Sequence, residues 1–229
     1  MPSPAPLRTT TRRLASVGRS VRSRGLRATG AEVGARLRPH VHLAEQHVWY
    51  ERRLDGGHPE VEWPEGLRLV AGTPADLPAL DDLDTVDAVE AAQRLDAGAQ
   101  WWLVYDGAQP LFSCWLFTGD APVLAAPGGR LRLPADTVVL EDSVTSAAAR
   151  GRGIAPRAWN ALAALSAARH GRMLTKVAVD NAPSRKAVEK AGFEGVAIMS
   201  LRKVGPWRRT TVEPLGDVPD WLAANLGAA

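Results

Sequence analysis

The sequence predicts one mixed α/β domain, with antiparallel hairpins first and a crossover later, behind a basic extension. Three observations carry this expectation. From about residue 47, segments run in the order strand, two helices, a run of strands, helix, strand, helix, strand. One strand, at 138–145, leads through a glycine-punctuated turn into a long helix. The chain has 229 residues, enough for one well-packed domain and an appendage, with 45% hydrophobic and 23% charged residues, the balance of a soluble globular protein.

Residues 1–40 are the appendage. Pro2, Pro4 and Pro6 open it, and nine arginines against one acid, Glu32, give it a charge of +8, so that residues 41–229 carry −5 of the chain's net +3. Leu14, Val17 and Val21 share one face of a short basic helix, which Gly18, Gly25 and Gly30 weaken by roughly 1 kcal/mol each. Three readings stand: a solvated tail, a weak contact with a membrane surface or a partner, and a targeting segment. The arginines lack interleaved aromatics, so no specific nucleic acid is expected. Residues 41–229 form the domain.

Within it, 47–54 and 66–71 read as strands. Thr73-Pro74-Ala75-Asp76 opens a helix: threonine caps, proline suits the first turn, and the acid complements the helix N-terminus. A second helix covers 86–95 and stops near Gly98. Strands follow at 101–105, closed by the Asp106-Gly107 turn, at 110–117 and at 136–145. A helix over 153–170 is stopped by Gly171, a strand covers 173–180, a helix over 183–191 is stopped by Gly192, and a strand covers 193–203. A short helix begins at Asp217. The single cysteine, Cys114, excludes an intrachain disulfide and reads as a small buried hydrophobe within 111–117. No run approaches the ~18 apolar residues of a spanning helix, and residues 1–10 have no secretory core. A cytoplasmic protein is expected.

The segment that carries chemistry is Arg150-Gly151-Arg152-Gly153-Ile154-Ala155, between the strand and the helix. The first N–H groups of a helix lack partners and its dipole is positive there, so this end binds anions, diphosphate above all. Glycines let the backbone approach a phosphate, and Arg150 and Arg152 add charge. Pro156 is tolerated because it falls in the first turn. By helical spacing the helix buries Ile154, Ala158, Ala161, Leu162 and Leu165. The alternative reading of the turn is purely structural, with glycines for geometry and solvated arginines.

These residues, with Asn181-Ala182-Pro183-Ser184 and Ala191-Gly192-Phe193 further on, resemble the two signatures of the GNAT acyltransferase superfamily, in order and spacing. The resemblance covers about 66–203 and is most specific over 138–193. It implies a central, mostly antiparallel sheet splayed between its fourth and fifth strands. It further implies acetyl-CoA or another acyl-CoA as co-substrate, no metal, and an amine on a small molecule or a protein as acceptor. The pantetheine arm would enter between the strand ending at Val144 and the strand from Lys176. Backbone groups of Val144 and Thr145 would hold the acyl carbonyl and the arm, and N–H groups from Gly151 to Ala155 the pyrophosphate. Asn181 would bond the arm and Ser184 would lie near the thiol. Two departures stand out. The stretch between the strand valine and the signature arginine is one residue longer than the common pattern. Val188 stands where many members place a general-acid tyrosine.

Amine acylation requires a neutral amine, whereas an alkyl amine keeps its proton to roughly pH 10, so a base is useful. Glu141 and Asp142 are the candidates, carboxylates in an apolar strand, and the alternative reading of each is an edge-exposed or salt-bridged carboxylate. Alternation places them on opposite sheet faces, Asp142 with Leu140 and Val144, Glu141 with Val139 and Ser143. His170 reads as a helix C-terminal group, and His40, His42, His47 and His58 show no metal-ligand pattern. The acids Asp81, Asp82, Asp84, Asp87 and Glu90 read as a solvated helix face, or as an attraction for a cationic acceptor. Trp115, Trp159 and one of the Trp101-Trp102 pair read as core. The rival to an enzyme is a catalytically inactive acyl-CoA-binding or scaffold module, which the missing tyrosine favours.

Overall fold

The computed structural model describes residues 42–58, 60–83, 85–204 and 207–227; the extension expected at 1–40 lies outside them. Contacts divide the chain into a larger unit, Glu45–Ser200 with the residues from Thr210 on, and a smaller one that comprises, among the described residues, the strand ends 42–44 and Leu201–Arg209. In the smaller unit Trp207 is exposed.

The strands are β1 (His42–Arg53), β2 (Leu67–Ala71), β3 (Gln100–Asp106), β4 (Gln109–Phe117), β5 (Asp120–Pro122), β6 (Arg130–Arg132), β7 (Thr137–Thr145), β8 (Arg172–Ala178), β9 (Glu194–Val204) and β10 (Trp207–Pro214). A 3-10 helix covers Pro74–Asp82, and the α-helices are α1 (Ala88–Asp96), α2 (Ile154–Ser166), α3 (Ala182–Lys190) and α4 (Asp220–Gly227). The main sheet has the order β10-β9-β1-β8-β7-β4-β3-β2, with β5 and β6 as a separate hairpin. β2, β3, β4 and β7 pair antiparallel in succession, as do β1 and β8. β7 and β8 are parallel, joined by the crossover through α2. This is the predicted mixed, mostly antiparallel sheet.

The opening motif folds as expected. Asp76 accepts hydrogen bonds from the Thr73 amide at 2.9 Å and the Thr73 hydroxyl at 2.7 Å. Burial pushes the Asp76 carboxyl up, but these bonds and one from the Tyr105 hydroxyl outweigh it and hold it below the usual range. Pro78 stands inside this helix, which runs as a 3-10 helix. α1 starts later than expected, where the Asp87 side chain accepts from the Glu90 amide at 2.9 Å. α2 ends at Ser166 and not at His170, whose ring instead bonds the Ala135 carbonyl at 3.3 Å. Its buried face is Ile154, Ala158, Trp159, Leu162, Ala163 and Ser166. Leu165, expected inside, is exposed, because the stripe leans to the Trp159 side.

α2 and α3 pack with one sheet face, in a cluster that includes Val48, Tyr50, Cys114, Leu140, Ile154, Leu162, Met173, Val188 and Phe193. Cys114 is fully buried, and burial pushes its thiol pKa up. The other face carries a row of large residues across the strands. Trp101 stands opposite Trp115, Trp115 opposite Glu141, and Lys176 opposite Trp49. Trp101 and Trp115 stack at 5.6 Å, and Arg94 of α1 lies over the Trp115 ring at 5.3 Å.

Candidate active site

The parallel ladder between β7 and β8 runs from Thr137–Arg172 to Leu140–Thr175 and stops. Beyond it lies a cavity of about 290 Å³ whose walls are Glu141, Asp142 and Ser143 from β7 and Thr175, Lys176, Val177 and Ala178 from β8. This is the split expected between the strand ending at Val144 and the strand from Lys176. An irregularity on the other edge of β7 accompanies it. Ser113 of β4 pairs with Val144, and Trp115 with Glu141, so Cys114 alone stands against both Asp142 and Ser143. The extra residue makes a β-bulge, and Asp142 takes up the distortion at φ 50°. The expected alternation therefore fails. Glu141 and Asp142 line the same cavity.

The two carboxylates are held differently. Glu141 is buried and forms an ion pair with Lys176 directly past the last ladder pair. Burial pushes its carboxyl pKa up, and the Lys176 ammonium pulls part of that back. Its second oxygen, Oε1, is buried and has no hydrogen-bond partner among the described residues. Asp142 is partly exposed and pairs with Arg94 at 2.6 Å, and Arg94 also pairs with Glu90 at 2.6 Å. Part of the acidic stretch is thus neutralised within the fold.

The glycine turn stands at the N-terminus of α2. Gly151 and Gly153 have φ of 80° and 71°, a region costly for other residues, and Gly153 is the N-cap. The first N–H groups of α2 lack intrahelical acceptors, and Ile154 and Ala155 are its first residues. The Arg157 guanidinium folds back to donate to the carbonyls of Arg152 and Gly153, each at 3.2 Å. With Arg150 and Arg152 it gives the turn a concentration of positive charge that fits a diphosphate. Arg152 also reaches Asp106 at 3.5 Å, and Arg150 Nε donates to the Thr145 carbonyl at 3.4 Å. Val144 and Thr145 stand beyond the cavity walls, half-buried and paired to β4.

Asn181 and Ser184 complete the far wall. The Asn181 side-chain oxygen accepts from the Ser184 amide at 3.2 Å, so it caps α3 while its amide group remains for other contacts. Val188 is buried in the same wall and brings no hydroxyl. Of the residues singled out in the sequence, Glu141, Asp142, Asn181 and Ser184 meet at the cavity. Arg150, Gly151, Arg152 and Gly153 form the turn, and Ile154 and Ala155 open α2.

Among the cavity residues not singled out as site residues are Trp159, Thr175, Lys176 and His47. Trp159 lines the wall and donates to the Ser143 hydroxyl at 3.0 Å, so it is more than core. Lys176 and Thr175 come from β8, and His47 comes from β1. His47 is half-buried, and its Nδ1 is buried with no partner among the described residues. Burial pushes its imidazole below the usual histidine range. The Lys176 ammonium adds to that, and Glu45 and Asp180 pull part of it back. Nothing local in the sequence marks His47, because its place depends on β1 lying beside β8.

The sequence model of the acetyltransferase (GNAT) family matches residues 77–193. Among solved structures, the GCN5-related N-acetyltransferase from Sphaerobacter thermophilus has a TM-score of 0.53 and 15% identity, with 83% of this chain and 59% of that one covered. The acetyltransferase from the GNAT family from Colwellia psychrerythraea has a TM-score of 0.53 and 13% identity, covering 69% of this chain and 55% of that one. At such identities the likeness is one of fold. The first matched structures are spanned over 62%, 59% and 58% of their length. No curated protein matches the chain.

Proposed function

The chain belongs to the GNAT acetyltransferase family, and from that premise we propose that it moves an acetyl or other short acyl group from acyl-CoA to an amine by direct attack on the thioester. The observation that carries this reading is the cavity opened where the β7–β8 ladder stops, lined by Trp159 of α2, the helix whose N-terminal turn carries Arg150, Arg152 and Arg157. The Gly151–Ala155 amides, with Arg150, Arg152 and Arg157, hold the diphosphate. Val144 and Thr145 lend backbone groups, Asn181 its free amide and Ser184 its hydroxyl to the arm. The thioester supplies the activated acyl carbon.

The two carboxylates take separate tasks. Glu141 lines the cavity with one oxygen unpartnered among the described residues, and that oxygen takes the incoming ammonium. Asp142, bound to Arg94, fixes the bulge that turns both acids into the same space. A charged but largely compensated cavity of this kind suits a cationic amine, on a small molecule or on a protein chain.

Two measurements on the whole protein test the proposal. Acetyl-CoA at about a hundred times its Kd should raise the melting temperature by roughly 5–10 °C. A panel of amines should then release free CoA, read as thiol, with buried Cys114 adding no background. No melting shift would refute the cofactor site. A shift without thiol release from any amine would favour the second reading, an acyl-CoA-binding module without turnover, for which buried Val188 in the wall speaks.

A further inference from the structure

We propose that His47, carried into the cavity by β1, is the group that takes the proton from the acceptor ammonium while Glu141 holds it. This rests on the acyl-transfer reading above and adds to it a residue outside the family-matched span of 77–193.

Two buried polar atoms on cavity residues lack partners. His47 Nδ1 and Glu141 Oε1 are both buried and unpartnered among the described residues, and both residues line one cavity. They stand on β1 and β7, the two strands that flank β8. With its proton on Nε2, neutral histidine offers a lone pair at Nδ1, and an ionised carboxylate offers only lone pairs. A buried acceptor without a donor is costly, and an alkyl ammonium brings three N–H donors. One such ligand, seated in the cavity that both residues line, has donors enough for both atoms.

The charges around the pair decide which atom receives the proton. Glu141 is the counter-ion of Lys176. Protonating it would leave a buried ammonium uncompensated, which is strongly unfavourable. Asp142 is likewise committed to Arg94. His47 stands opposite Ala178 on β8 and feels the charge of Lys176 two residues back along that strand, with Glu45 on its own strand and Asp180 past the end of β8, and it is in ion pair with none of them among the described residues. A neutral imidazole is also closer in proton affinity to the amine than a carboxylate is.

The ammonium gives one proton to His47 Nδ1 and becomes a neutral amine. Its nitrogen attacks the thioester carbon, the C–N bond forms and the C–S bond breaks. The nitrogen sheds a second proton, which ends on the departing sulfur, and the histidine returns its own to solvent.

The test uses the full chain and two readouts. In ring-labelled protein, with the His47 signal assigned by its loss in His47→Gln, coenzyme A at saturation should move the His47 signals and its titration. With acetyl-CoA and a reactive amine, His47→Gln should lower kcat about 10²-fold and leave the KM for acetyl-CoA within twofold. The wild-type rate should fall at acid pH as a group below the ordinary histidine range gains its proton, and that limb should vanish in the variant. If coenzyme A raises the melting temperature yet His47 does not respond, or the variant keeps its acid limb and full kcat, the histidine assignment is overturned alone. If coenzyme A gives no melting shift at all, the acyl-transfer reading falls and takes this one with it.

Discussion

Glu141 and Asp142 are neighbours with similar prospects in the sequence and different positions in the fold. Glu141→Gln keeps the shape, removes the charge that holds an ammonium and leaves Lys176 without its counter-ion, so this variant should also melt lower. A charge-assisted hydrogen bond is worth about 1.5–3 kcal/mol, so the amine KM should rise roughly 10- to 100-fold. Asp142→Asn loses a partly exposed ion pair worth at most about 1 kcal/mol. It should lower the melting temperature by a few degrees and leave the amine KM within about threefold. Steady-state kinetics on both variants checks this, and equal effects would undo the division of tasks. The sequence showed two acids in an apolar strand but not which was which. Period-two alternation assumes a regular ladder, and the bulge opposite Cys114 broke it. His47 was illegible for another reason, since a lone histidine at a strand position carries no signal until its neighbours in space are known.

The turn into α2 was the most legible element, because its function depends on backbone geometry that glycine and proline write directly into the sequence. Gly153→Ala should cost about 1–2 kcal/mol for the left-handed conformation, and its Cβ would sit 2.7 Å from Arg157 Nη1, displacing that guanidinium. Gly98→Ala meets the same conformational cost at φ 85° with nothing within 4 Å. Both variants should melt lower by similar amounts, and only Gly153→Ala should also lose affinity for acetyl-CoA, as calorimetric titration would read. Elements that the sequence hid were short or polar. β5 and β6 have three residues each, too few to show a period. β10 is largely polar, with Arg208, Arg209, Thr210 and Thr211 in succession. Capped helices and apolar strands were found to within a few residues, because caps and burial are local.

At the scale of the molecule, the order of strands is what composition and period could not supply. The sequence located β1 as a strand but had no means of placing it between β8 and β9. There Trp49 and Tyr50 are fully buried, and the Arg52 guanidinium donates to Asn160 of α2 at 2.5 Å and to the Ala191 carbonyl at 2.7 Å. Deleting residues 1–40, which stops short of β1, should leave the affinity for acetyl-CoA intact, as calorimetric titration would read. Deletion through Leu54 should leave an insoluble chain, as centrifugation of the expressed product would show.

The interior position of β1 also sets a timetable for synthesis. Tyr50 bonds Glu189, a contact that spans 139 residues. The first of these strands to leave the ribosome must therefore wait for nearly the last before it finds its neighbours. Contacts this distant in sequence slow folding, and a nascent chain emerges at about 5–20 residues per second. For several seconds, then, an apolar ribbon bearing Val48, Trp49 and Tyr50 stands without cover, and chaperone capture belongs in that interval.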